Sequence, residues 1–406
     1  MKIIQINKFN YLRGGAEKYF LELSERLTQA GHEVAKFCMT DRRNLEDTWS
    51  GYWLSRIDFE QPAIADKLRA PERIIYSRAA KRSLTKLIKN FQPDIIHAHN
   101  IYHQLSPSVL DAAREAKVPV VMTLHDYKLI CPNYQLLNHG QVCEKCLDGN
   151  FWHCFREKCF KNSRSQSFLA SLEAVLHKHW QTYQRGVNLF IAPSQFMADK
   201  CQAAGWPQDR FRVLINPVPE LPAGQRQAAD YFLYAGRLSH EKGIDVLLKA
   251  LAGSNYKLKI AGRGPQENAL RQLVKDLKLS EQVDFLGQQG REQLAKLLDG
   301  TIALTVPSIW YENMPLNILE ALGRGCPVVA SRIGGIPEIV NHQVNGWLAE
   351  PGDCGDWTKA LEQAAQADPL KFSQQAKESV NQYNWSQHFL AIEAIYQQIL
   401  QNRGHD

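Results

Sequence analysis

Two glutamates with seven residues between them stand in Glu312-Asn313-Met314-Pro315-Leu316-Asn317-Ile318-Leu319-Glu320. Earlier in the chain, Arg237 and Lys242 lie five positions apart in Gly236-Arg237-Leu238-Ser239-His240-Glu241-Lys242-Gly243. That pair of cations suits a diphosphate, because Arg offers a planar fork to two phosphate oxygens and Lys adds a point charge. Alone, it reads equally well as a surface turn with two solvated cations. The glutamates say more. Pro315 fits the first turn of a helix and pushes the residue before it out of helical geometry, so Glu312 is expected in a loop and Glu320 inside a helix. Eight helical positions span about 12 Å, too far for one acid-base pair but suited to two parts of one long ligand. Glu312 then meets a sugar, Glu320 accepts hydrogen bonds from ribose hydroxyls, and the free amides at Leu316 and Asn317 face phosphate. The bland alternative is an exposed helix with solvated carboxylates, against which stand the turn glycines Gly323, Gly325, Gly334 and Gly335.

Other residues could add to such a site. Gly14 and Gly15 follow the first apolar run, where a glycine pair either makes a simple tight turn or aims backbone amides at anionic oxygen. His125, beside Asp126, lies just past Val118 to Leu124 and is the candidate to hold a sugar hydroxyl or a phosphate. His97, His99, His103 and Tyr102 occupy a comparable stretch and are second-rank candidates for contact with an acceptor. Five cysteines crowd into Cys131-x11-Cys143-x2-Cys146-x7-Cys154-x4-Cys159, near His139 and His153. This pattern is compatible with a structural zinc on Cys143, Cys146, Cys154 and Cys159, the alternatives being free buried thiols or a redox pair. No D-x-D segment occurs, which removes the usual carboxylate ligand of a diphosphate-bound metal, so no catalytic cation is expected.

The elements that must carry these residues alternate between strand and helix. Lys2 to Asn7 reads as a strand, Ala16 to Ala30 as a helix with Gly31 at its end, and Val34 to Met39 as the next strand. Further β runs at Ile95 to Ala98, Val118 to Leu124, Leu189 to Ala192 and Val213 to Ile215 make a parallel sheet. A proline-rich connector follows at Pro217 to Gly224, and the alternation restarts with strands at Tyr231 to Ala235, Lys257 to Ile260, Val283 to Leu286, Ala303 to Val306 and Val328 to Ala330. The expectation is an α/β chain with two doubly wound, Rossmann-like domains facing across a cleft. They span 1–217, with the Cys-rich insert at about 131–160, and 218–385, and a last helix in 386–406 closes either domain or crosses back to the first.

Bulk properties bound the class. A chain of 406 residues exceeds what one core usually organises. The Met1 to Asn7 segment is too short and interrupted for a signal peptide, and no run of about 18 apolar residues occurs. A cytoplasmic protein, or one peripheral to the inner face of a membrane, is expected. Net charge of +6 is modest, and no nucleic acid partner is expected. Between Lys67 and Lys89 eight cations face the single acid Glu72, with Ile74, Ile75, Leu84, Leu87 and Ile88 on about one face. This reads as a basic amphipathic helix over 67–89, either packed on its own sheet or touching an anionic lipid surface.

Taken together the motifs resemble glycosyltransferase family 4, the large group of retaining GT-B enzymes. The resemblance runs from Gly14-Gly15-Ala16-Glu17 through His125-Asp126, Pro193-Ser194, Asn216-Pro217, Gly236-Arg237, Glu241-Lys242-Gly243, Gly262-Arg263-Gly264-Pro265 and Phe285-Leu286-Gly287. It continues through the two-glutamate segment to Gly334-Gly335-Ile336-Pro337-Glu338. It implies a hexosyl transfer from a UDP- or GDP-sugar to a glycan or lipid-linked acceptor, without a catalytic metal. By resemblance Arg237 and Lys242 hold the diphosphate, Glu320 the ribose, and Glu312 lies by the transferred sugar. Arg263 and Leu286 neighbour the base, and Gly14 and Gly15 touch donor phosphate or acceptor. It also implies front-face attack, with the departing diphosphate as base, over a side-chain nucleophile, for which Glu312 is the nominee. Rival readings are an idle nucleotide-sugar-binding partner subunit, a nucleotide-sugar epimerase or a phosphorylase. An NAD-linked oxidoreductase lacks its G-x-G-x-x-G turn, since Asn10 to Gly15 stands there instead.

Overall fold

The computed structural model describes residues 1–57, 64–220, 224, 226–227 and 230–402, with the backbone alone for 64–69. Short, almost continuously apolar runs become strands buried on both faces, as a parallel sheet covered by helices demands. In the first half these are β1 (Lys2–Ile6), β2 (Glu33–Phe37), β3 (Ile95–Ala98), β4 (Val120–Thr123), β5 (Leu189–Ala192) and β6 (Phe211–Val213). All pair in parallel, in the order β6-β5-β4-β3-β1-β2. The second half repeats the plan with β7 (Tyr231–Ala235), β8 (Lys257–Ala261), β9 (Val283–Gly287), β10 (Leu304–Val306), β11 (Val328–Ser331) and β12 (Gly346–Ala349). Their order is β9-β8-β7-β10-β11-β12, again parallel.

Each order reverses once, between β1 and β3 in the first sheet and between β7 and β10 in the second. The loops leaving two such strands part to opposite faces and open a crevice at their carboxyl ends. The loops after β7 and β10 are those that carry Arg237, Lys242 and Glu312. Helix α1 (Gly15–Gln29) follows β1 and buries Tyr19, Phe20, Leu23 and Leu27. It stops where Gly31 takes φ +85, a conformation that costs glycine little.

The basic segment differs from its expectation. It is two helices, α2 (Ile64–Tyr76) and α3 (Arg78–Phe91), because Ser77 caps the second by accepting from the Ala80 amide at 3.2 Å. Arg73 is buried, its Nε donating to the Gln104 carbonyl at 2.6 Å and its guanidinium to Ser55 O at 2.7 Å. The side chains of Lys67 and Arg69 lie outside the described residues. Arg78, Arg82, Lys86 and Lys89 are exposed on α3. Among the described residues no helix is long and apolar enough to cross a membrane.

In the second half, α4 (Ile244–Leu251) follows the Lys242 loop and α5 (Leu316–Gly323) carries Glu320. The last helix, α6 (Trp385–Asn402), returns to the first half. Its Trp385, Ile392, Ile395 and Tyr396 share a cluster with Ile3, Tyr19, Ile95, Val121 and Ile191.

Candidate active site

Lys242 ends a single helical turn after β7, and Gly243 behind it takes φ +63 with its Cα packed on the Pro307 carbonyl, where a Cβ would lie 2.0 Å away. This contact fastens the Lys242 loop to the loop after β10. Lys242 Nζ accordingly donates to Glu312 Oε1 at 2.6 Å, and Ser308 Oγ donates to the same oxygen at 2.5 Å. The ammonium also lies 5.1 Å from the Trp310 ring centre. Glu312 is buried. Burial alone would raise its pKa, but the Lys242 charge and hydrogen bonds from Lys242 and Ser308 outweigh it and hold the carboxyl below its ordinary value.

The Glu312 loop is backed by the glycine pair. Gly334, at φ +62, would put a Cβ 2.1 Å from the Glu312 carbonyl oxygen, and the Gly335 amide donates to that oxygen at 2.8 Å. Pro315 caps α5 rather than sitting inside it, with Glu312 in the loop and a buried Glu320 in the helix. The Asn317 side chain is spent on structure, donating to the Ala235 carbonyl at 3.0 Å. Arg237 is exposed on the loop after β7 and makes no ion pair among the described residues. That loop is zipped to the next one, Leu238 N donating to Arg263 O at 3.0 Å. Gly264 allows the approach, since a Cβ there would stand 2.2 Å from the Leu238 carbonyl. Arg263 Nε lies 3.6 Å from where a Gly287 Cβ would be, next to Leu286. Arg263 and Leu286 are thus together, one loop away from Lys242.

The first half faces this assembly. Gly14 caps α1 in extended conformation, and a Cβ on Gly15 would lie 3.2 Å from Leu316 Cδ1. Lys18, one turn on, forms an ion pair with Glu320. Asn313 spans the halves, accepting from Ser194 Oγ at 2.9 Å and donating to the Leu124 carbonyl at 3.1 Å. Glu338 accepts from the Gln195 and Phe196 amides at 2.8 and 2.7 Å. His125, one residue beyond Leu124, is half-buried, and burial pushes it down to about 3. Its ring stacks on His99, with centres 5.3 Å apart, and His99 stacks on His97 at 4.4 Å. Tyr102 is buried and His103 half-buried in the first half, and neither joins this stack. Nearby, burial pushes the Asp126 carboxyl up and the Lys8 ammonium down, each partly offset by the other's charge.

The Cys-rich insert meets the second half at two points. A Cβ on Gly140 would stand 2.3 Å from His240 Nε2. Glu144 accepts from Tyr311 Oη at 2.7 Å and from Lys200 Nζ at 2.5 Å. Among the described residues no three His, Cys, Asp or Glu side chains stand where they could share a metal ion. Cys143, Cys146, Cys154 and Cys159 are free thiols, and the last three are spent on a small apolar cluster with Phe151, Ala174 and Val175.

Sequence reasoning brought Lys242, Glu312, Glu320, Leu316 and Gly15 to one cleft, and the structure assembles them there. It missed Lys18, Asn313, Tyr311 and Glu338 as residues that join the halves. Of these, Asn313 and Glu338 stood inside quoted motifs, the two-glutamate segment and the glycine-pair segment.

Residues 13–220 match the family model described as Glycosyltransferase Family 4, and residues 223–381 the model described as Glycosyl transferases group 1. The chain belongs to glycosyltransferase family 4. A 183-residue stretch is 33% identical to the D-inositol 3-phosphate glycosyltransferase of Mycolicibacterium smegmatis, covering 43% of this chain and 41% of that protein. The match therefore spans less than half the length of that relative. The 42.6 kDa protein in the cps region of Klebsiella pneumoniae is 25% identical over 371 residues, 86% of this chain and 90% of its own. Among solved structures, sucrose-phosphate synthase from Thermosynechococcus elongatus superposes with a TM-score of 0.70 at 20% identity, covering 99% of both chains. Anabaena HepE in complex with UDP-glucose gives 0.65 at 18% identity, covering 99% of this chain and 100% of that one. These likenesses establish a common fold, GT-B: two parallel-sheet α/β halves with a cleft between them.

Proposed function

We propose that this family member is a retaining glycosyltransferase that moves a sugar from a nucleotide-diphosphate sugar to a hydroxyl of a glycan or lipid-linked acceptor, without a catalytic metal. One observation carries the reading: the Lys242 ammonium and the buried Glu312 carboxylate touch at the crevice of the second sheet, with Lys18 on Glu320 and Gly15 on Leu316 closing it from the first. A donor in that crevice has its diphosphate at Lys242 and Arg237, its ribose at Glu320, its base between Arg263 and Leu286, and its sugar between Glu312 and His125. The structure of Anabaena HepE with UDP-glucose supports a nucleotide-sugar donor.

In the transfer, the acceptor oxygen bonds to the anomeric carbon from the face the diphosphate leaves, and the carbon-to-diphosphate bond breaks. The acceptor's proton passes to a departing phosphate oxygen. Lys242 and Arg237 stabilise the charge that develops on that group, and such preorganised charge is the largest single catalytic term in many enzymes. Glu312, held ionised by Lys242, favours positive charge on the sugar ring. The exposed cations Arg78, Arg82, Lys86 and Lys89 of α3 suit an anionic membrane surface carrying a lipid-linked acceptor.

The test is a panel of UDP-, GDP- and ADP-sugars scored for thermal protection, since a bound donor stabilises by mass action, and for slow hydrolysis in the presence of a chelator. The anomeric proton coupling of the released sugar then reports stereochemistry. Protection by a nucleotide sugar with the donor's configuration kept in the product is expected. No protection by any member, or an inverted product, refutes the reading.

A further inference from the structure

A pocket opens between the Cys-rich insert and the loop after β7, beside the crevice described above. It encloses about 450 Å³, within the range of small-ligand sites. Arg237 is common to this pocket and to the proposed donor crevice, whereas Lys242, Glu312, Glu320, Leu316 and His125 do not line it. A donor seated as proposed therefore leaves the pocket open to a second ligand. Its two walls are tied together where Gly140 of the insert packs on His240.

The lining carries unbalanced positive charge. Lys158 and Lys161 come from the insert and Arg237 from the facing loop; all are exposed, and none has an ion pair among the described residues. The one carboxylate of the lining, Glu241, already accepts from Ser239 Oγ at 2.5 Å. Asn138 and Asn162 add side-chain amides that bond to nothing else among the described residues. Lys158 and Lys161 stand in left-handed backbone, at φ +52 and +50, which is uncommon outside glycine. The chain bends at both lysines, and they share one pocket. No motif of the family resemblance lies between Asp126 and Pro193, so this wall is built from the part of the chain outside those motifs.

We propose that this pocket is an acceptor subsite for a phosphate group, held by Lys158 and Lys161 with Arg237 at its border to the donor. Three cations against one carboxylate suit a phosphate monoester, with its about two negative charges at pH 7, better than a neutral glycan or a single carboxylate. Arg237, lying between the two ligands, offsets the repulsion between the acceptor's phosphate and the donor's diphosphate. That the phosphate belongs to an acceptor rests on the proposed function; its binding at the two lysines does not. The phosphate could be that of a lipid-linked acceptor or of a phosphorylated sugar, and the chemistry of recognition is the same.

Ligand-observed NMR with geranyl phosphate, glucose 6-phosphate, methyl glucuronide and geraniol tests this, with UDP in excess to fill the donor crevice. A phosphate probe should bind the wild type, and about tenfold more weakly the double variant Lys158→Asn with Lys161→Asn. Asparagine tolerates left-handed backbone, so the insert should keep its fold, as thermal unfolding checks. Arginine at both positions should restore binding. Binding of geranyl phosphate marks a lipid-linked source and binding of glucose 6-phosphate a sugar phosphate; either supports the proposal. Equal binding of the phosphate probes to wild type and the asparagine variant, or binding of neither, overturns it. So does geraniol binding as tightly as its phosphate, or methyl glucuronide binding more tightly than both phosphates. UDP titrated alone should change its Kd by less than about twofold in the asparagine variant. A loss of UDP affinity as large as that of the phosphate probe puts the lysines on the donor's diphosphate and overturns the proposal. Lysine-dependent phosphate binding in a protein that binds no nucleotide sinks the proposed function alone. Donor binding without lysine-dependent phosphate binding sinks this inference alone.

Discussion

Glu312→Gln should tighten binding of a free nucleoside diphosphate while slowing sugar transfer, an unusual pair of effects for one substitution. Glu312 Oε1 lies 2.6 Å from Lys242 Nζ. A phosphate oxygen gripped by that ammonium at about 2.8 Å would sit no more than about 5 Å from the carboxylate. Two like charges at that range repel by about 3 kcal/mol at an effective dielectric constant of about 20, and by under about 1 kcal/mol in water. The Lys242 side chain is 24% exposed and that of Glu312 7%, which places the site between those limits. Removing the charge should therefore gain about 1 to 2 kcal/mol, or about 5- to 30-fold in Kd. Glutamine retains an oxygen for Ser308 Oγ, and the Trp310 ring still faces the ammonium. Calorimetric titration of UDP and GDP into both proteins measures the effect, and added salt should shrink it. A folded Glu312→Gln protein with unchanged or weaker diphosphate affinity would refute the placement of the diphosphate at Lys242.

Three further outcomes follow from other parts of the site. His97 is held at about 3, against about 6.5 in an unfolded chain. Because the folded value is the lower one, its stabilising effect is full above about pH 6.5 and is lost as pH falls toward 3, with about 2 kcal/mol gone by pH 5. Urea midpoints at pH 7.5 and 5 check this, and equal midpoints contradict the burial argument. Gly334→Ala must move the Glu312 carbonyl, which a Cβ would approach to 2.1 Å at φ +62. It should cost about 1 to 3 kcal/mol with a large drop in kcat, read from thermal unfolding and turnover; normal kcat would mean Glu312 is not placed by that contact. Glu320→Ala should weaken UDP binding about tenfold but leave inorganic pyrophosphate unaffected, and equal losses for both would refute the ribose assignment.

How much of this was legible depended on whether chemistry lay at the end of a strand. Lys242 and Glu312 sit where β7 and β10 part, and the apolar runs ahead of them mark both strand ends. Gly264 and Gly334, which the sequence marked only as motif and turn glycines, stand at close backbone approaches in the structure. Partners supplied from elsewhere in the chain left no such mark. Nothing in the spacing of Lys18 and Glu320, or of Glu144 and Tyr311, ties one to the other, because those pairs depend on how the halves face each other. Gln5 did carry a signal, a polar residue fully buried within the strand Lys2–Ile6, but periodicity alone does not say what it bonds. The basic segment misled because its apolar spacing runs on through Ser77, whose side chain both ends one helix and caps the next. Cys146, Cys154 and Cys159 pack in a small apolar cluster, and spacing alone does not tell that use of a thiol from metal ligation.

Beside the apolar contacts of Leu316 with Gly15 and of Tyr311 with Phe196, several contacts across the cleft are polar, which bears on how a donor enters. Lys18 with Glu320, Asn313 with Ser194 and Leu124, Glu338 with two amides, and Glu144 with Tyr311 are all hydrogen bonds or ion pairs between polar groups. A polar contact given up to water loses only its net worth, about 1 kcal/mol apiece, whereas an apolar one would lose its whole burial. Giving up these polar ties therefore costs a few kcal/mol, less than the roughly 8 kcal/mol supplied by a ligand of micromolar affinity. Lys18 must share or release Glu320 for a ribose to bind there, so the same ligand that needs the cleft open removes one of the ties that holds it shut. The Asn313 and Glu338 contacts do not compete with the donor and can re-form once it is in place. They return Leu124, and with it His125, to the sugar's side of the cleft.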